Sequence, residues 1–243
     1  MKKALIIGGS NGIGLSIVLN LYGYDNIYIV DKQSPDIPLP SHVSFYQFDL
    51  CSADFSFFNQ FEDIDSLIIT AGFGRLSLFS DLKEDEIISS FMVNSVAVIR
   101  VLKIFYNKLL QKDADFLCAV MGSISGYLSS PFYSVYGATK AAICKFIESI
   151  NVELYRSGTT NRILNVSPGS IKGTRFNNGD NDLNVTQALA KEIIEQMHNK
   201  NDLYIPEYEE VYKNVLQRYN SDFRTFGLQS YDYKKNTKRL EKE

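Results

Sequence analysis

The sequence is poor in cysteine and carries no excess of positive charge. Its three cysteines, Cys51, Cys118 and Cys144, show neither CxxC spacing nor an even number. This pattern predicts reduced, packed thiols, with no disulfide framework and no metal site. The 25 lysines and arginines are outnumbered by 28 acidic residues, for a net charge of -3. Because no basic surplus is available to bind a polyanion, nucleic acid is not an expected partner.

Long hydrophobic runs are also missing. The most apolar stretch, 91–106, is interrupted by Asn94, Arg100 and Lys103. We predict that it does not supply the roughly 20 apolar residues of a membrane span. The apolar run at the N-terminus stops after four residues, which is too short for the core of a signal peptide. We therefore expect a soluble, cytoplasmic protein without a membrane partner.

Short apolar runs alternate with segments of helical period along the 243 residues, 45% of which are hydrophobic. The length suits one domain over 1–243. The alternation predicts an α/β fold, with a doubly wound, mostly parallel sheet, helices on both faces and a ligand site beyond the carboxyl ends of the strands. The predicted strands are 3–7, 27–30, 43–48, 66–70, 115–121, 162–166 and 203–205, and the predicted helices are 12–22, 52–61, 83–111, 134–157 and 186–199.

Four other segments have a distinctive composition. The link 32–42 contains three prolines and is predicted to be extended. The region 175–200 contains a polar segment that resembles a mobile loop over a substrate. Aromatic residues are frequent over 204–233, where they are interpreted as covering the core or a neighbouring subunit, and the polar tail 234–243 is expected to fray.

A glycine-rich turn directly follows the first predicted strand. The pyrophosphate of a dinucleotide needs glycine where the backbone approaches it closely, and a helix N-terminus whose free amides favour negative charge. The alternative is a tight turn between strand and helix that binds nothing. The segment contains Gly8, Ser10, Asn11, Gly12, Ile13 and Gly14.

An acidic residue, Asp31, ends the second predicted strand, 17 residues after Gly14. A carboxylate at this position accepts hydrogen bonds from a ribose 2′-hydroxyl and repels a 2′-phosphate, which favours NAD over NADP without excluding NADP. Lys32 follows directly and offsets part of that repulsion. A solvated residue at the end of a strand is the competing interpretation of Asp31.

Tyr136 and Lys140 are spaced i and i+4 on a predicted helix and therefore lie on one face. A neighbouring ammonium favours the tyrosinate, so the pKa of the phenol is expected to fall below its usual value of about 10. Ser123, or its rival Ser125, stands at the end of a buried strand, where a hydroxyl can hold a substrate oxygen. Asn94 interrupts an apolar helix and is either functional or a buried structural amide.

Together these residues resemble the short-chain dehydrogenase/reductase family, specifically its shorter, single-domain subgroup, over most of the chain. The resemblance implies a Rossmann-type fold with seven parallel strands and hydride transfer between a nicotinamide and an alcohol/carbonyl pair. It implies Tyr136 as general acid/base, Lys140 as the residue that lowers its pKa and holds the nicotinamide ribose, and Ser123 as the residue that orients the substrate oxygen. Asn94 would anchor the water of a proton relay.

The resemblance also implies further cofactor contacts and an assembly. Family members form dimers or tetramers through two long helices, so a homodimer or homotetramer is expected. Thr70 stands where the family has asparagine, and it is expected to lose a hydrogen bond between strands. The implied contacts are Asp49 and Leu50 with adenine, Ala71 and Gly72 after the fourth strand, Pro168 and Gly169 in the family's PG motif, Ile171 with the carboxamide and Thr174 with the phosphates.

Two alternatives remain. A catalytically silent dinucleotide-binding regulator of the same fold would normally lack the tyrosine or the lysine. Sugar-nucleotide epimerases and dehydratases share the YxxxK pair but resemble longer chains. The expected substrate is a small-molecule alcohol or ketone, enclosed by the loops 73–80, 127–133 and 176–185.

Overall fold

Seven parallel strands form the centre of the molecule. The structure is a computed structural model that describes residues 1–177 and 181–236. The strands are β1 (Lys3–Ile7), β2 (Asn26–Asp31), β3 (Val43–Gln47), β4 (Ser66–Ile69), β5 (Leu117–Met121), β6 (Ile163–Val166) and β7 (Leu203–Tyr204). Their order in the sheet is β3-β2-β1-β4-β5-β6-β7, with every pairing parallel. The predicted doubly wound α/β fold is confirmed.

Helices cover both faces of the sheet. Helices α1 (Gly12–Asn20) and α5 (Leu183–His198) lie on one face, and α3 (Ala97–Leu109) and α4 (Ser134–Ser157) lie on the other. The remaining helices are α2 (Glu84–Phe91), α6 (Lys213–Ser221) and α7 (Phe223–Asn236). Side chains alternate along each strand, so Leu5 and Ile7 pack on the face of α3 and α4, whereas Ala4 and Ile6 pack on the face of α1 and α5. Burial on both faces explains why the strands are nearly continuous apolar runs.

One predicted helix is interrupted. The segment predicted as a single helix over 83–111 contains a π-helical turn, Met92–Val96, between α2 and α3. At its centre, the buried Asn94 amide bonds to the backbone of Phe73 and to the hydroxyl of Thr139. The inserted residue directs this amide away from solvent, and such π-turns are frequent at functional sites.

The same segment bears on the expectation about membranes. Within the described residues, one helical stretch, Glu84–Leu109, is long and apolar enough to cross a membrane by length and composition. The polar residues in it are therefore too few to exclude a span, contrary to our expectation. In the fold, Val101, Leu102 and Phe105 of this stretch are buried against the sheet.

Other local expectations have mixed outcomes. The link 32–42 contains no helix, as predicted, and the predicted helix 52–61 is a 3₁₀ turn, Ser56–Phe61. All three cysteines are free thiols, but Cys51 is exposed because it lies in the turn after β3. Residues 234–236 form the last turn of α7, whereas the rest of the segment expected to fray, 237–243, lies outside the described residues.

Candidate active site

A cleft of about 960 Å³ lies at the carboxyl ends of the parallel strands. It extends from the ends of β2 and β3, past the turn after β1, to α7. This is the edge at which an open parallel sheet binds ligands. Two of the predicted site residues, Ser10 and Asn94, do not line it. The predicted residues that do are Gly8, Asn11, Gly12, Ile13, Gly14, Asp31, Asp49, Leu50, Ala71, Gly72, Ser123, Tyr136, Lys140, Pro168, Gly169, Ile171 and Thr174.

The glycine turn is shaped by close approaches of the backbone. Gly8 has a φ of +90°, and a Cβ on Gly14 would lie 2.1 Å from the carbonyl oxygen of Gly8. Helix α1 begins at Gly12, whose N–H donates to Oδ1 of Asn181 at 2.7 Å. The Ser10 hydroxyl is buried and has no hydrogen-bond partner within the described part of the chain. The N-terminus of α1 beside a glycine cradle that a Cβ would fill fits a phosphate group.

Asp31 is held in place by two backbone amides. Its Oδ2 accepts from the N–H of Ser10 at 3.1 Å, and its Oδ1 accepts from the N–H of Lys32 at 2.7 Å. The side chain of Lys32 turns to Asp49, with 3.7 Å between Nζ and Oδ2. The carboxylate of Asp31 is thus fixed at the end of the cleft where β2 and β3 stop.

The tyrosine, lysine and serine predicted from their spacing come together. Ser123 lies close enough to Tyr136 to lower the pKa of its phenol, which favours Ser123 over Ser125 as the partner. The Lys140 ammonium lies 5.8 Å from the centre of the Tyr136 ring and donates to the carbonyl oxygen of Met121 at 2.7 Å. The first turns of α4 and the end of β5 therefore place three polar side chains at one point of the cleft.

Burial shifts both ionisable groups toward their neutral forms. It raises the pKa of Tyr136 to about 12, although the hydrogen bond from Ser123 acts in the opposite direction. It lowers the pKa of Lys140 to about 8. The expected fall in the pKa of Tyr136 is wrong for this structure, because desolvation outweighs an ammonium that is directed at the Met121 carbonyl.

Asn94 lies behind the cleft. It is fully buried, and its three hydrogen bonds join the loop after β4 to α4. A Cβ on Gly72 would lie 3.1 Å from Oδ1 of Asn94 and 3.3 Å from Nζ of Lys140. The amide of Asn94 and the ammonium of Lys140 therefore lie on either side of the same glycine. The hydrogen bonds of Asn94 indicate a structural role for this residue.

Thr70 makes a hydrogen bond of its own at the position where the family has asparagine. Its hydroxyl donates to the carbonyl oxygen of Gly8 at 2.9 Å, so threonine makes a hydrogen bond between the ends of β4 and β1. A β-hydroxyl reaches this carbonyl because the glycine turn brings it close to β4, and a Cβ on Gly8 would lie only 2.8 Å from that hydroxyl.

We expect Thr70→Val to lower the free energy of unfolding by about 1 kcal/mol, because it leaves the Gly8 carbonyl without this donor. Urea unfolding followed by circular dichroism measures the change. Thr70→Ser keeps the hydroxyl and serves as the control. Equal stability of the valine variant and the wild type would show that the bond is not stabilising.

Sequence reasoning missed the residues that close the far end of the cleft. Tyr212 and, from α7, Phe226, Ser230, Tyr233 and Lys234 line it. The frequency of aromatic residues over 204–233 was a signal, but it did not indicate which surface they cover. Among the described residues, no group of three or more histidine, cysteine or acidic side chains is arranged to hold a metal ion.

Comparisons with known proteins agree with this geometry. A sequence model of the family described as short chain dehydrogenase matches residues 2–184. Carbonyl reductase family member 4 of Xenopus laevis is 25% identical over 182 residues, which cover 70% of this chain and 76% of that protein.

Two solved structures share the fold. A short chain dehydrogenase from Burkholderia cenocepacia in complex with NADP matches with a TM-score of 0.76 at 18% identity, over 95% of this chain and 99% of that one. A short chain dehydrogenase from Leptospira borgpetersenii with bound NAD+ matches with a TM-score of 0.59 at 25% identity, over 70% and 71% of the two chains. The family match over three quarters of the sequence decides the assignment: this chain belongs to the short-chain dehydrogenase family of oxidoreductases.

Proposed function

We propose that this protein interconverts a small-molecule alcohol and its carbonyl compound with a nicotinamide dinucleotide, with Tyr136 as the general acid/base. The observation that carries the proposal is the meeting of Tyr136, Ser123 and Lys140 in the cleft that also holds the glycine turn. The name carbonyl reductase of the Xenopus laevis relative and the NADP and NAD+ bound to the two structural neighbours support it.

The residues along the cleft fit such a cofactor. The glycine turn would hold the pyrophosphate, Asp31 the adenosine ribose, and Asp49 with Leu50 the adenine. Ala71, Gly72, Pro168 and Gly169 would border the remaining length, with Ile171 at the carboxamide, Thr174 at the phosphates and Lys140 at the second ribose. When bound, the nicotinamide supplies or accepts the hydride.

The protein's own contribution is proton transfer and orientation. Tyr136 and Ser123 present two hydroxyl groups to one point, where both can hydrogen bond with a substrate oxygen. During reduction of a ketone, the phenol of Tyr136 gives its proton to the oxygen, and during oxidation of an alcohol the phenolate takes it back. Because burial raises the pKa of Tyr136, the proton is in place at neutral pH, which favours reduction.

We propose NAD as the preferred cofactor, on the basis of the fixed carboxylate of Asp31. Calorimetric titration should give tighter binding of NADH than of NADPH. Asp31→Ser should reduce or reverse that preference, because it removes the charge that repels a 2′-phosphate. Asp113→Asn removes the same charge at an exposed position outside the cleft and should keep the preference. Tighter binding of NADPH by the wild type would overturn the proposed preference.

We also propose a homodimer or homotetramer formed through α3 and α4. Apolar side chains remain exposed on these helices or at their ends, among them Val96, Val152 and Tyr155, which is 75% exposed. Analytical ultracentrifugation should show a dimer or tetramer, and Val152→Glu together with Tyr155→Glu should dissociate it. A monomeric wild type would contradict the proposed assembly.

A further inference from the structure

Helix α7 is docked against the loop that precedes α4. The ring of Tyr231 stacks on that of Phe132, with 4.6 Å between centroids and 27° between planes. The ammonium of Lys234 donates to Oγ of Ser130 at 2.8 Å and to the carbonyl oxygen of Pro131 at 2.9 Å. Stacking and hydrogen bonding at successive residues of one loop fix the position of α7 relative to α4.

This docking orients one face of α7 toward the cleft. Phe226, Ser230, Tyr233 and Lys234 line the cleft, at spacings of four, seven and eight residues from the first. These spacings place them on a single helical face. The Tyr233 ring is 60% exposed, so an apolar surface at the cleft mouth has little cover from the described part of the chain.

The same cleft is lined by a group of three aromatic rings around the proposed acid/base. Tyr133 and Tyr136 have their ring centres 5.6 Å apart, and the ring of Phe176 lies 5.1 Å from that of Tyr136. The planes of Tyr133 and Phe176 are within 21° of each other. A Cβ on Gly74 would lie 2.7 Å from the Tyr136 ring, so the glycine allows the strand-end loop to lie directly on this ring.

Few polar side chains interrupt the aromatic face of α7 and the group of three rings. Beyond Ser123 and Tyr136, which meet the substrate oxygen in the proposed function, the polar side chains at this end include Ser130, Ser230 and Lys234. The Lys234 ammonium is bonded to the loop at two points and also lies 5.5 Å from the centre of the Tyr133 ring. A compartment of this kind selects its occupant by shape and by contact with ring faces.

We propose, resting on the proposed function, that the substrate is an aryl ketone or the corresponding alcohol, whose flat ring lies between α7 and the rings of Tyr133, Tyr136 and Phe176. Aromatic side chains stabilise flat rings through offset-stacked and edge-to-face contacts that a puckered aliphatic ring does not make as well. In the reaction, the carbonyl carbon gains a hydride as the reduced nicotinamide is oxidised, and the carbonyl oxygen gains the proton of Tyr136.

Acetophenone and cyclohexyl methyl ketone test this substrate class, because they share one carbon skeleton and differ in whether the six-membered ring is flat. The aryl ring is also conjugated with the carbonyl, and the variants of α7 below separate ring contact from this difference in reactivity. With NADH as cofactor, we expect kcat/KM to be about tenfold higher for acetophenone. Phe226→Leu and Tyr233→Leu keep apolar bulk but remove a flat ring from α7, and each should lower that ratio to about threefold. Leu228→Ala, on the exposed face of the same helix and outside the cleft, should leave the ratio unchanged.

Binding of the same two ketones to the protein in the presence of NAD+, which cannot reduce them, is measured by saturation-transfer NMR and gives a readout that does not depend on turnover. Equal kcat/KM values, equal affinities, or binding of neither ketone would overturn the substrate class while leaving open reduction of other carbonyl compounds. A preference for acetophenone in binding, with no oxidation of NADH by any carbonyl compound, would support the aromatic compartment and overturn the proposed function instead. If the ratio of kcat/KM for the two ketones is unchanged in both Phe226→Leu and Tyr233→Leu, α7 does not contact the substrate ring, and this part of the proposal is wrong.

Discussion

Replacing Tyr136 with phenylalanine should lower kcat for ketone reduction by about 10²–10⁴-fold, the range for loss of a general acid. The substitution removes only the hydroxyl beside Ser123 and keeps the ring that packs on Gly74. Stability and NADH affinity should therefore change little. Steady-state kinetics with parallel calorimetry separate the loss of chemistry from a loss of binding.

The rate of alcohol oxidation by the wild type should also depend on pH, in the direction that the pKa of Tyr136 sets. Because burial raises the pKa of Tyr136, alcohol oxidation, which needs the phenolate, should accelerate as the pH rises through the alkaline range. Tyr136→Phe should abolish that rise. Tyr22→Phe changes an exposed tyrosine outside the cleft and should match the wild type in both experiments. Retention of more than about a tenth of the wild-type kcat by Tyr136→Phe would exclude the general acid/base role.

Replacing Lys140 with methionine should abolish turnover and yet stabilise the protein at neutral pH. Burial lowers the pKa of Lys140 from 10.5 to about 8, so at neutral pH the folded state carries the cost of an ammonium in an apolar setting. Removal of that charge should raise the free energy of unfolding by on the order of 3 kcal/mol, reduced by the lost bond to the Met121 carbonyl. A gain in stability with a loss of activity is typical of residues kept for function.

The gain should depend on pH in a defined direction. Between about pH 8 and 10.5 the unfolded wild type binds a proton that the folded form does not, so its stability rises with pH over this window. The advantage of Lys140→Met should therefore be greatest below pH 8 and vanish above 10.5. Urea unfolding at several pH values measures it. Lys145→Met, on the same helix but exposed, should give no comparable gain, and a destabilised Lys140→Met at neutral pH would contradict the cost assigned to burial.

The features that local sequence fixes were predictable. The apolar runs of β1 and β4, the glycine turn after β1, and the i, i+4 spacing of Tyr136 and Lys140 depend on neighbours in the chain, and the structure contains each of them. The position of Ser123 at the end of β5 followed from the rule that parallel strands present their carboxyl ends at one edge.

Properties set by distant packing were not predictable in the same way. The pKa of Tyr136 depends on burial among elements far apart in sequence, which reverses the direction expected from Lys140 alone. The hydrogen bond of Thr70 depends on how closely the turn at Gly8 approaches β4. Helix α7 follows no strong apolar pattern, and the role of Phe226 emerges only from the docking of this helix.

The most direct test of the proposed hydride transfer uses NADH deuterated at the transferable C4 position, incubated with the protein and a panel of aryl and alkyl ketones. Mass spectrometry then measures the deuterium content of the alcohols that form. We predict one deuterium on the carbinol carbon of the product, at a rate that falls by about 10²–10⁴-fold in Tyr136→Phe. Tight binding of NADH without transfer of deuterium to any ketone would contradict the assignment of this cleft as a catalytic site and favour a dinucleotide-binding protein without turnover.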